Sequence, residues 1–363
     1  MNEAISLSPS GIVDCDIHPV MRGPQTLRSY LPQRWQAHLD SYGLRSRQAV
    51  LNGPPYPKAS PALSRRDAWP PAGGPPGSDV AFMREQLLDA YGIGHGVLQV
   101  LGPAGRDQPN QDFGAAVCRA VNEWQLAEWT QPEPRLKATV NIPYDDAEAS
   151  VAEIIRCAPN RDFVAVALPS RTSEPIGRRR YWPIFAAAEA QNLSLAIHTG
   201  GTNGVPTTAA GWPSFYLEDH HGHALSMQSA LSSLVFEGVF ERFPRLRVVM
   251  VEAGFAWVPS LCWRMDKHFD RLRDEVPHLT RKPSEMVRSQ VWFTTQPVDE
   301  AADPADVTEM ISWIGWDRLL FSTDYPHWDM DDPRFLFKAK LSDSQRHQLY
   351  FANAHEAFNL AGP

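Results

Sequence analysis

The chain has 363 residues, of which 43% are hydrophobic and 21% are charged, and its formal net charge is -8 at pH 7. These values are typical of a globular protein with a sizeable core and exclude a disordered chain. The excess of acidic residues argues against a nucleic-acid partner, which a basic surface would attract. No apolar segment approaches the roughly 18 residues of a membrane-spanning helix. The first ten residues also lack the basic and apolar parts of a secretion signal, so we expect a cytoplasmic protein without a membrane partner.

Eight short apolar segments, each ending in polar, glycine or proline residues, predict eight strands. They cover residues 11–18, 96–101, 136–143, 163–170, 193–200, 246–254, 291–297 and 319–327. Several are nearly continuous in valine, isoleucine, leucine and alanine, which is typical of parallel strands buried on both faces. Segments with helical spacing separate them, at 112–129, 145–157, 180–191 and 256–273. Alternating strands and helices over this length predict an α/β fold, a (β/α)8 TIM barrel that forms a single domain over residues 1–363.

The connection between the first two predicted strands is unusually long. It contains a helical piece at 25–42, a segment rich in proline and glycine at 53–77, and another helix at 79–91. A loop that follows a barrel strand lies on the active-site face, and loops of this length are commonly functional. We therefore interpret residues 43–77 as a lid insertion, with a surface excursion of no catalytic role as the alternative. The side chains of this insertion that could contact a substrate are Arg45, Arg65, Arg66, Tyr56 and Trp69. Trp35, an aromatic residue of the preceding helix, could contact it as well.

The four cysteines, in contrast, suggest no site. They are far apart in the sequence and form no CxxC pair, so we expect neither a disulfide framework nor a cysteine zinc site. The absence of a GxGxxG motif after the first strand and of a P-loop likewise weakens a nucleotide-binding interpretation.

Acidic and histidine residues fall at the ends of four predicted strands. In a barrel these carboxyl-terminal ends converge on the active site. Side chains alternate along a strand, so the acids and the histidine of the first strand are expected to share one face. Burying several carboxylates with imidazoles is unfavourable unless a cation compensates, and such ligands suit zinc, manganese or iron. The pattern predicts a divalent metal site at these strand ends, where the candidate ligands and the functional residues beside them are Asp14, Asp16, His18, His198, Glu252, Asp324 and His327.

These motifs resemble the amidohydrolase-related group of metal-dependent hydrolases that includes aminocarboxymuconate-semialdehyde decarboxylase and the γ-resorcylate decarboxylases. The resemblance covers nearly the whole chain and rests on residues 14–18, 196–200, 238–266 and 321–327. It implies one divalent metal ion, zinc in preference to manganese, in an enzyme that acts on a small molecule and forms a homodimer. The ligands that it implies are Asp16, His18, His198 and Asp324.

One position departs from this group, because Glu252 stands where the decarboxylases carry a catalytic histidine at the end of strand 6. A carboxylate there can act as a base on metal-bound water, so the main prediction is a hydrolase of a small cyclic or aromatic amide, lactone or ring-cleavage product. Asp324 is expected to contact the water as well as the metal, and His220 to transfer a proton or contact substrate. His327 and Asp14 are expected to contact substrate or orient a ligand.

Two alternatives to hydrolysis stay open. The first is non-oxidative decarboxylation of an aromatic or enoic acid, which the resemblance implies. The second is a barrel that binds a ligand without catalysis, which would require the metal site to be absent. A purely structural role is the alternative for Glu252. His220 belongs to a histidine cluster, residues 218–223, for which a solvated helix start is the alternative.

Overall fold

A computed structural model describes residues 11–23, 25–44, 60–102, 104–106, 108–201 and 206–360. Eight strands form one sheet in the order of the chain, and every neighbouring pair is parallel. The strands are β1 (Ile12–Ile17), β2 (Ile93–Leu98), β3 (Leu136–Asn141), β4 (Phe163–Arg171), β5 (Ser194–Gly201), β6 (Val248–Val251), β7 (Val291–Thr294) and β8 (Leu319–Leu320).

The segment after β8 closes the sheet into a barrel. β8 has only two residues, but the chain continues beside β1, where the Cys15 N–H donates to the Phe321 carbonyl at 3.0 Å. Farther along, the Asp324 N–H donates to the Asp16 carbonyl at 3.1 Å, and Tyr325 forms a parallel bridge with Ile17. These bonds join the first and last strands, so the predicted (β/α)8 TIM barrel is confirmed.

Helices follow the strands and cover the outside of the barrel. Several begin at a polar cap; the Asp146 carboxylate, for example, accepts the Ala149 N–H at 3.0 Å. No helix in the described ranges has the length and apolar character needed to cross a membrane. The α-helices are α1 (Gln33–Tyr42), α2 (Val80–Met83), α3 (Gln111–Gln125), α4 (Ala147–Cys157), α5 (Trp182–Ala190), α6 (Tyr216–Phe236), α7 (Val239–Arg242), α8 (Val258–Arg271), α9 (Pro283–Gln290), α10 (Pro304–Ile314), α11 (Asp343–His347) and α12 (Asn353–Phe358).

Shorter helical turns extend this set. π-helical turns continue α2, α3 and α11, at Arg84–Asp89, Leu126–Thr130 and Gln348–Ala352. The 3₁₀ turns are Thr26–Tyr30, Pro61–Leu63, Arg179–Tyr181, Arg273–Glu275 and Trp316–Arg318.

The barrel interior is apolar at the end opposite the strand carboxyl termini. Val13, Val97 and Val249 pack there with Phe358 of α12. The hydroxyl of Ser194, the first residue of β5, donates to the carbonyl of Ala357, which places α12 against the amino-terminal ends of the strands. The described side chains therefore fill the end of the barrel beside α12.

The described end of the long insertion lies at the carboxyl-terminal mouth of the barrel. Ser64 forms an antiparallel bridge with His327, and the Trp328 N–H donates to the Leu63 carbonyl at 2.9 Å. Gly77 ends the insertion with a φ of +75°, and a Cβ atom there would lie 2.5 Å from the His18 carbonyl oxygen. The insertion thus contacts segments that carry the predicted site, whereas its role as a substrate lid stays a prediction.

The side chains that were predicted to contact substrate lie in different surroundings in the structure. Arg65 donates two hydrogen bonds to the Asp67 carboxylate, at 2.9 and 2.6 Å, so its charge is already paired. Trp69 is 44% exposed, and Trp35 packs against Phe113 with ring centroids 5.3 Å apart. Two of the predicted contacts, Arg45 and Tyr56, lie outside the described residues.

Candidate active site

The carboxyl-terminal ends of four strands bring five acidic and histidine side chains together. Asp16 and His18 come from β1, His198 from β5, Glu252 from the residue after β6, and Asp324 from the segment after β8. Each residue is at most 8% exposed. Their oxygen and nitrogen atoms, together with those of His327, form two overlapping groups of four, and within each group all the atoms lie within 4.8 Å of one another.

The two imidazole rings present Nε2 to the carboxylates. His18 Nδ1 lies 2.9 Å from the Gln99 carbonyl oxygen, and His198 Nδ1 lies 2.6 Å from the Thr199 carbonyl oxygen. Each Nδ1 therefore donates its hydrogen to the backbone, which leaves the Nε2 lone pair directed into the cluster in the neutral ring. This is the tautomer of a metal-binding histidine.

Carboxylate oxygens surround these nitrogens. His18 Nε2 lies 2.7 Å from Asp324 Oδ1 and 3.3 Å from Asp16 Oδ1. His198 Nε2 lies 2.8 Å from Glu252 Oε2 and 3.7 Å from Asp16 Oδ2. Both oxygens of Asp16 are buried without a hydrogen-bond partner, and desolvation raises the pKa of this carboxyl to about 7. Lone pairs that converge without donors are stabilised by a cation, so the residues present fit a divalent metal.

Two of the acids have an uncommon backbone conformation. Glu252 has a φ of +57° and Asp324 a φ of +63°, in the left-handed region that non-glycine residues rarely adopt. Such strain persists where the surrounding structure imposes it, and it is common at functional sites. This backbone conformation directs the carboxylates of Glu252 and Asp324 toward the cluster. The alternation of side chains along a strand does not predict that direction.

Asp14 does not join the cluster, in contrast to the expectation that it shares a face with Asp16 and His18. The pairing of β1 shifts in register between Asp14 and Ile17, which breaks the simple alternation. The Asp14 carboxylate instead accepts the Thr323 N–H at 2.9 Å and the Thr323 hydroxyl at 2.6 Å. Asp14 therefore fixes the segment that carries the neighbouring Asp324, and its burial raises the pKa of its own carboxyl to about 7.

A cavity of about 370 Å³ opens above the cluster. Leu63, Leu101, Tyr216 and Trp328 supply its apolar and aromatic walls. The Trp328 indole N–H donates to the Tyr216 hydroxyl at 2.9 Å, which holds the two rings together. The cavity has the size of a small-molecule site and is lined by flat, apolar surfaces that accommodate a ring.

The predicted His220 lies on the cavity wall, away from the cluster. Its Nε2 is 3.0 Å from Asp329 Oδ2, and this hydrogen bond raises the pKa of the imidazole. The side chain of Gln296 donates to the same carboxylate oxygen at 3.2 Å. Asp329 and Gln296 were not singled out in the sequence, since neither belongs to a strand-end pattern. Asp329 lies only two residues beyond His327, so its nearness in the sequence to a predicted site residue could have pointed to it.

Three more polar residues border the cavity. His327 Nδ1 lies 2.7 Å from Asp324 Oδ1, which places it beside the predicted ligand. His223 Nδ1 lies 3.8 Å from Glu252 Oε1, and burial lowers the pKa of this imidazole. Arg106 also lines the cavity and donates to the Leu101 carbonyl at 2.8 Å. Sequence reasoning chose no residue from the loop after β2, because that loop carries no acidic or histidine motif at its strand end.

Comparisons with known proteins agree with this architecture. The family model described as amidohydrolase matches residues 13–360. The γ-resorcylate decarboxylase of Polaromonas sp. is 24% identical over 300 residues, which cover 78% of this chain and 88% of that protein. The solved 5-carboxyvanillate decarboxylase of Sphingomonas paucimobilis superposes with a TM-score of 0.73 at 20% identity, covering 97% of this chain and all of that one. The manganese-bound dihydroxybenzoic acid decarboxylase of Polaromonas sp. JS666 gives 0.66 at 20% identity, with 97% of both chains covered.

These relatives correct one prediction and confirm another. The main prediction from the sequence, a hydrolase, is wrong, because the curated relatives that cover 78% of the chain are decarboxylases. Its basis was Glu252, but a carboxylate within the cluster can bind a metal as well as activate water, so its presence does not distinguish the two reactions. The prediction of a metal-dependent enzyme related to these decarboxylases holds. Because the amidohydrolase family model matches residues 13–360, the chain belongs to the amidohydrolase family.

Proposed function

We propose that this enzyme is a metal-dependent carboxy-lyase that removes carbon dioxide, without oxidation, from a small aromatic or enoic acid. The observation that carries the proposal is the buried cluster of carboxylates and Nε2 lone pairs at the floor of a ring-sized cavity. The relatedness to γ-resorcylate decarboxylases supports this reaction over hydrolysis.

A divalent metal, zinc or manganese, fits this floor. Asp16, His18 and His198 would hold it, with Glu252 or Asp324 completing the set. Ligands of mixed nitrogen and oxygen suit either ion, and the solved relative from Polaromonas contains manganese. When bound, the metal supplies positive charge that holds the substrate carboxylate and an adjacent oxygen and withdraws electrons from the ring.

The protein's own side chains then direct the reaction. The bond between the ring carbon and the carboxylate carbon breaks, its electron pair stays on the ring carbon, and carbon dioxide leaves. That carbon must receive one proton. His220 is suited to deliver this proton. The hydrogen bond from His220 Nε2 to Asp329 favours the protonated imidazole, and Nδ1 remains to donate the proton to the substrate carbon. Trp328 and Tyr216 line the cavity, where their rings would position the aromatic ring of the substrate over the cluster.

The direct test is a product assay with the metal-loaded protein. Protein reconstituted with Mn²⁺ or Zn²⁺ is incubated with hydroxybenzoates and, in parallel, with amides and lactones of similar size. We expect metal-dependent release of carbon dioxide and the decarboxylated phenol from at least one acid. Hydrolysis of an amide or lactone, with no carbon dioxide from any acid, would overturn the proposal.

The homodimer suggested by the family resemblance is also a proposal. Light scattering on the purified protein measures it directly. A mass of about twice 40.6 kDa is expected, and a mass of one chain would contradict it.

A further inference from the structure

One charged side chain of the cavity wall has no part in the reaction proposed above. Arg106, in the loop after β2, is the one arginine or lysine among the described residues that line the cavity. Its guanidinium donates to the carbonyls of Leu101, at 2.8 Å, and Val100, at 3.4 Å, and forms no ion pair with a described carboxylate. No described side chain therefore neutralises this positive charge, in a cavity that has to admit an anionic acid.

We infer that Arg106 binds a second carboxylate of the substrate, so that the acid on which this enzyme acts carries two carboxylates. The inference rests on the proposed function for the first carboxylate, which lies over the cluster and leaves as carbon dioxide. A guanidinium can donate two parallel hydrogen bonds to a carboxylate, and such charge-assisted bonds are roughly twice as strong as neutral ones. The second carboxylate is recognised by the arginine and stays on the product.

The acidic side chains of the same wall have other partners. Asp219 Oδ1 accepts the Thr207 hydroxyl at 2.5 Å, and Asp329 Oδ2 lies 3.0 Å from His220 Nε2. Both acids line the cavity with Arg106, yet neither forms an ion pair with it. An anion that enters the cavity therefore meets an arginine that no described carboxylate already occupies.

The loop that carries Arg106 is held against α3 by close packing. Gly105 has a φ of +84°, and a Cβ atom there would lie 2.5 Å from the Gly114 carbonyl oxygen and 2.6 Å from the Cys118 backbone nitrogen. The Cys118 thiol also donates to the Ala104 carbonyl at 3.1 Å. These contacts fix the backbone from which the arginine extends, and its bonds to loop carbonyls hold the guanidinium. A group that is positioned before the ligand arrives loses less entropy when it binds.

The surroundings of Arg106 strengthen its attraction for an anion. Leu63, Leu101 and Trp328 give the cavity apolar surface. Opposite charges attract more strongly beside such surface than in bulk water, because the effective dielectric constant is lower. A hydrogen-bonded pair between this arginine and a substrate carboxylate should therefore increase affinity by about 10–100-fold over a neutral group of the same shape.

The test compares pairs of acids that differ only in the second group. Protein loaded with Mn²⁺ is assayed for carbon dioxide release from positional isomers of hydroxybenzenedicarboxylic acid, and from the same acids with a neutral carboxamide in place of the second carboxylate. We expect kcat/KM to be about 10–100-fold higher for at least one dicarboxylic acid than for its carboxamide.

Variants of the arginine assign this preference to its charge. Arg106→Gln should remove the preference by raising KM for the dicarboxylic acid to that for the carboxamide, and Arg106→Lys should retain part of it. The matched control is Arg119→Gln, which makes the same change of charge at an exposed position of α3 and should keep the full preference.

Equal kcat/KM for every dicarboxylic acid and its carboxamide in the wild-type protein overturns the inference, and so does a preference that persists in Arg106→Gln. The wild-type comparison decides the question even if a variant fails to fold. Either result leaves the proposed function intact, because carbon dioxide is still released. If no acid releases carbon dioxide, the proposed function is rejected, and calorimetric titration of the same pairs decides the role of Arg106. Tighter binding of the dicarboxylic acid, lost in Arg106→Gln, supports that role, and equal binding overturns it.

Discussion

Removal of the proposed metal should destabilise the whole barrel, because its proposed ligands come from the ends of the first, fifth, sixth and last strands. Without an ion, the unpaired oxygens of Asp16 lie in a buried site beside two other carboxylates. The unfolded chain hydrates these groups individually, so an ion that binds the folded state alone stabilises that state. A chelator removes the ion, and the melting temperature measures the resulting loss of stability.

The size of the shift follows from the affinity and the chain length. An ion present at a thousand times its dissociation constant stabilises the folded state by about 4 kcal/mol. The melting entropy is about 2.1 cal/mol/K per residue, or roughly 0.8 kcal/mol/K for this chain of 363 residues. We therefore expect chelation to lower the melting temperature by about 5 °C.

Differential scanning calorimetry measures this shift directly. The scans compare protein with excess Mn²⁺, protein with chelator, and chelated protein to which Mn²⁺ is returned. Asp16→Asn removes a carboxylate of the cluster and should reduce the difference to within about 1 °C. An equal melting temperature in all three wild-type samples would refute the reasoning, as would a full shift in Asp16→Asn.

Three further predictions concern the cavity wall, an ion pair before the amino-terminal end of β3, and the end of the insertion. His220→Gln should bind metal normally and lower kcat by about 10²–10⁴-fold in steady-state assays, and unchanged turnover would exclude proton transfer by this residue. Glu133, whose pKa two arginine hydrogen bonds lower to about 2, stabilises the fold above pH 4.5 and loses this effect as the pH falls toward 2. Glu133→Gln should thus cost about 1 kcal/mol in urea unfolding at pH 7, with the difference shrinking below pH 4.5. Gly77→Ala, which directs a methyl group at the His18 carbonyl, should lose about 1–3 kcal/mol, while Gly102→Ala, in open space, changes little.

The barrel could be predicted from the sequence because its signals are local. Strands buried on both faces appear in the sequence as continuous apolar segments, such as Phe163–Arg171. The helices between them show helical spacing of apolar residues and have capping residues at their ends. The acids and histidines at strand ends were found in the same way, because parallel strands must end on one face. Position at the strand ends singled out Asp16, His18, His198 and Asp324 among other acids and histidines, the family resemblance implied these four as ligands, and the structure brings them into one buried cluster.

Side-chain direction within the site could not be predicted, because it depends on contacts between distant parts of the chain. The register shift in β1 turns Asp14 to Thr323, and the left-handed backbone at Glu252 turns its carboxylate into the cluster. The partnership of His220 with Asp329 joins residues 109 positions apart. None of these three features leaves a periodic pattern in the sequence.

The sequence by itself therefore determined the barrel, the end of the barrel that carries the site, and the kinds of atoms that bind there. The tertiary structure decided which atoms face each other, because distances of 2.7–3.8 Å between side chains depend on register, backbone strain and closure of the last strand onto the first. The surroundings of the proposed proton donor His220 also belong to this second class, since they depend on where distant segments of the chain place Asp329 and the cavity.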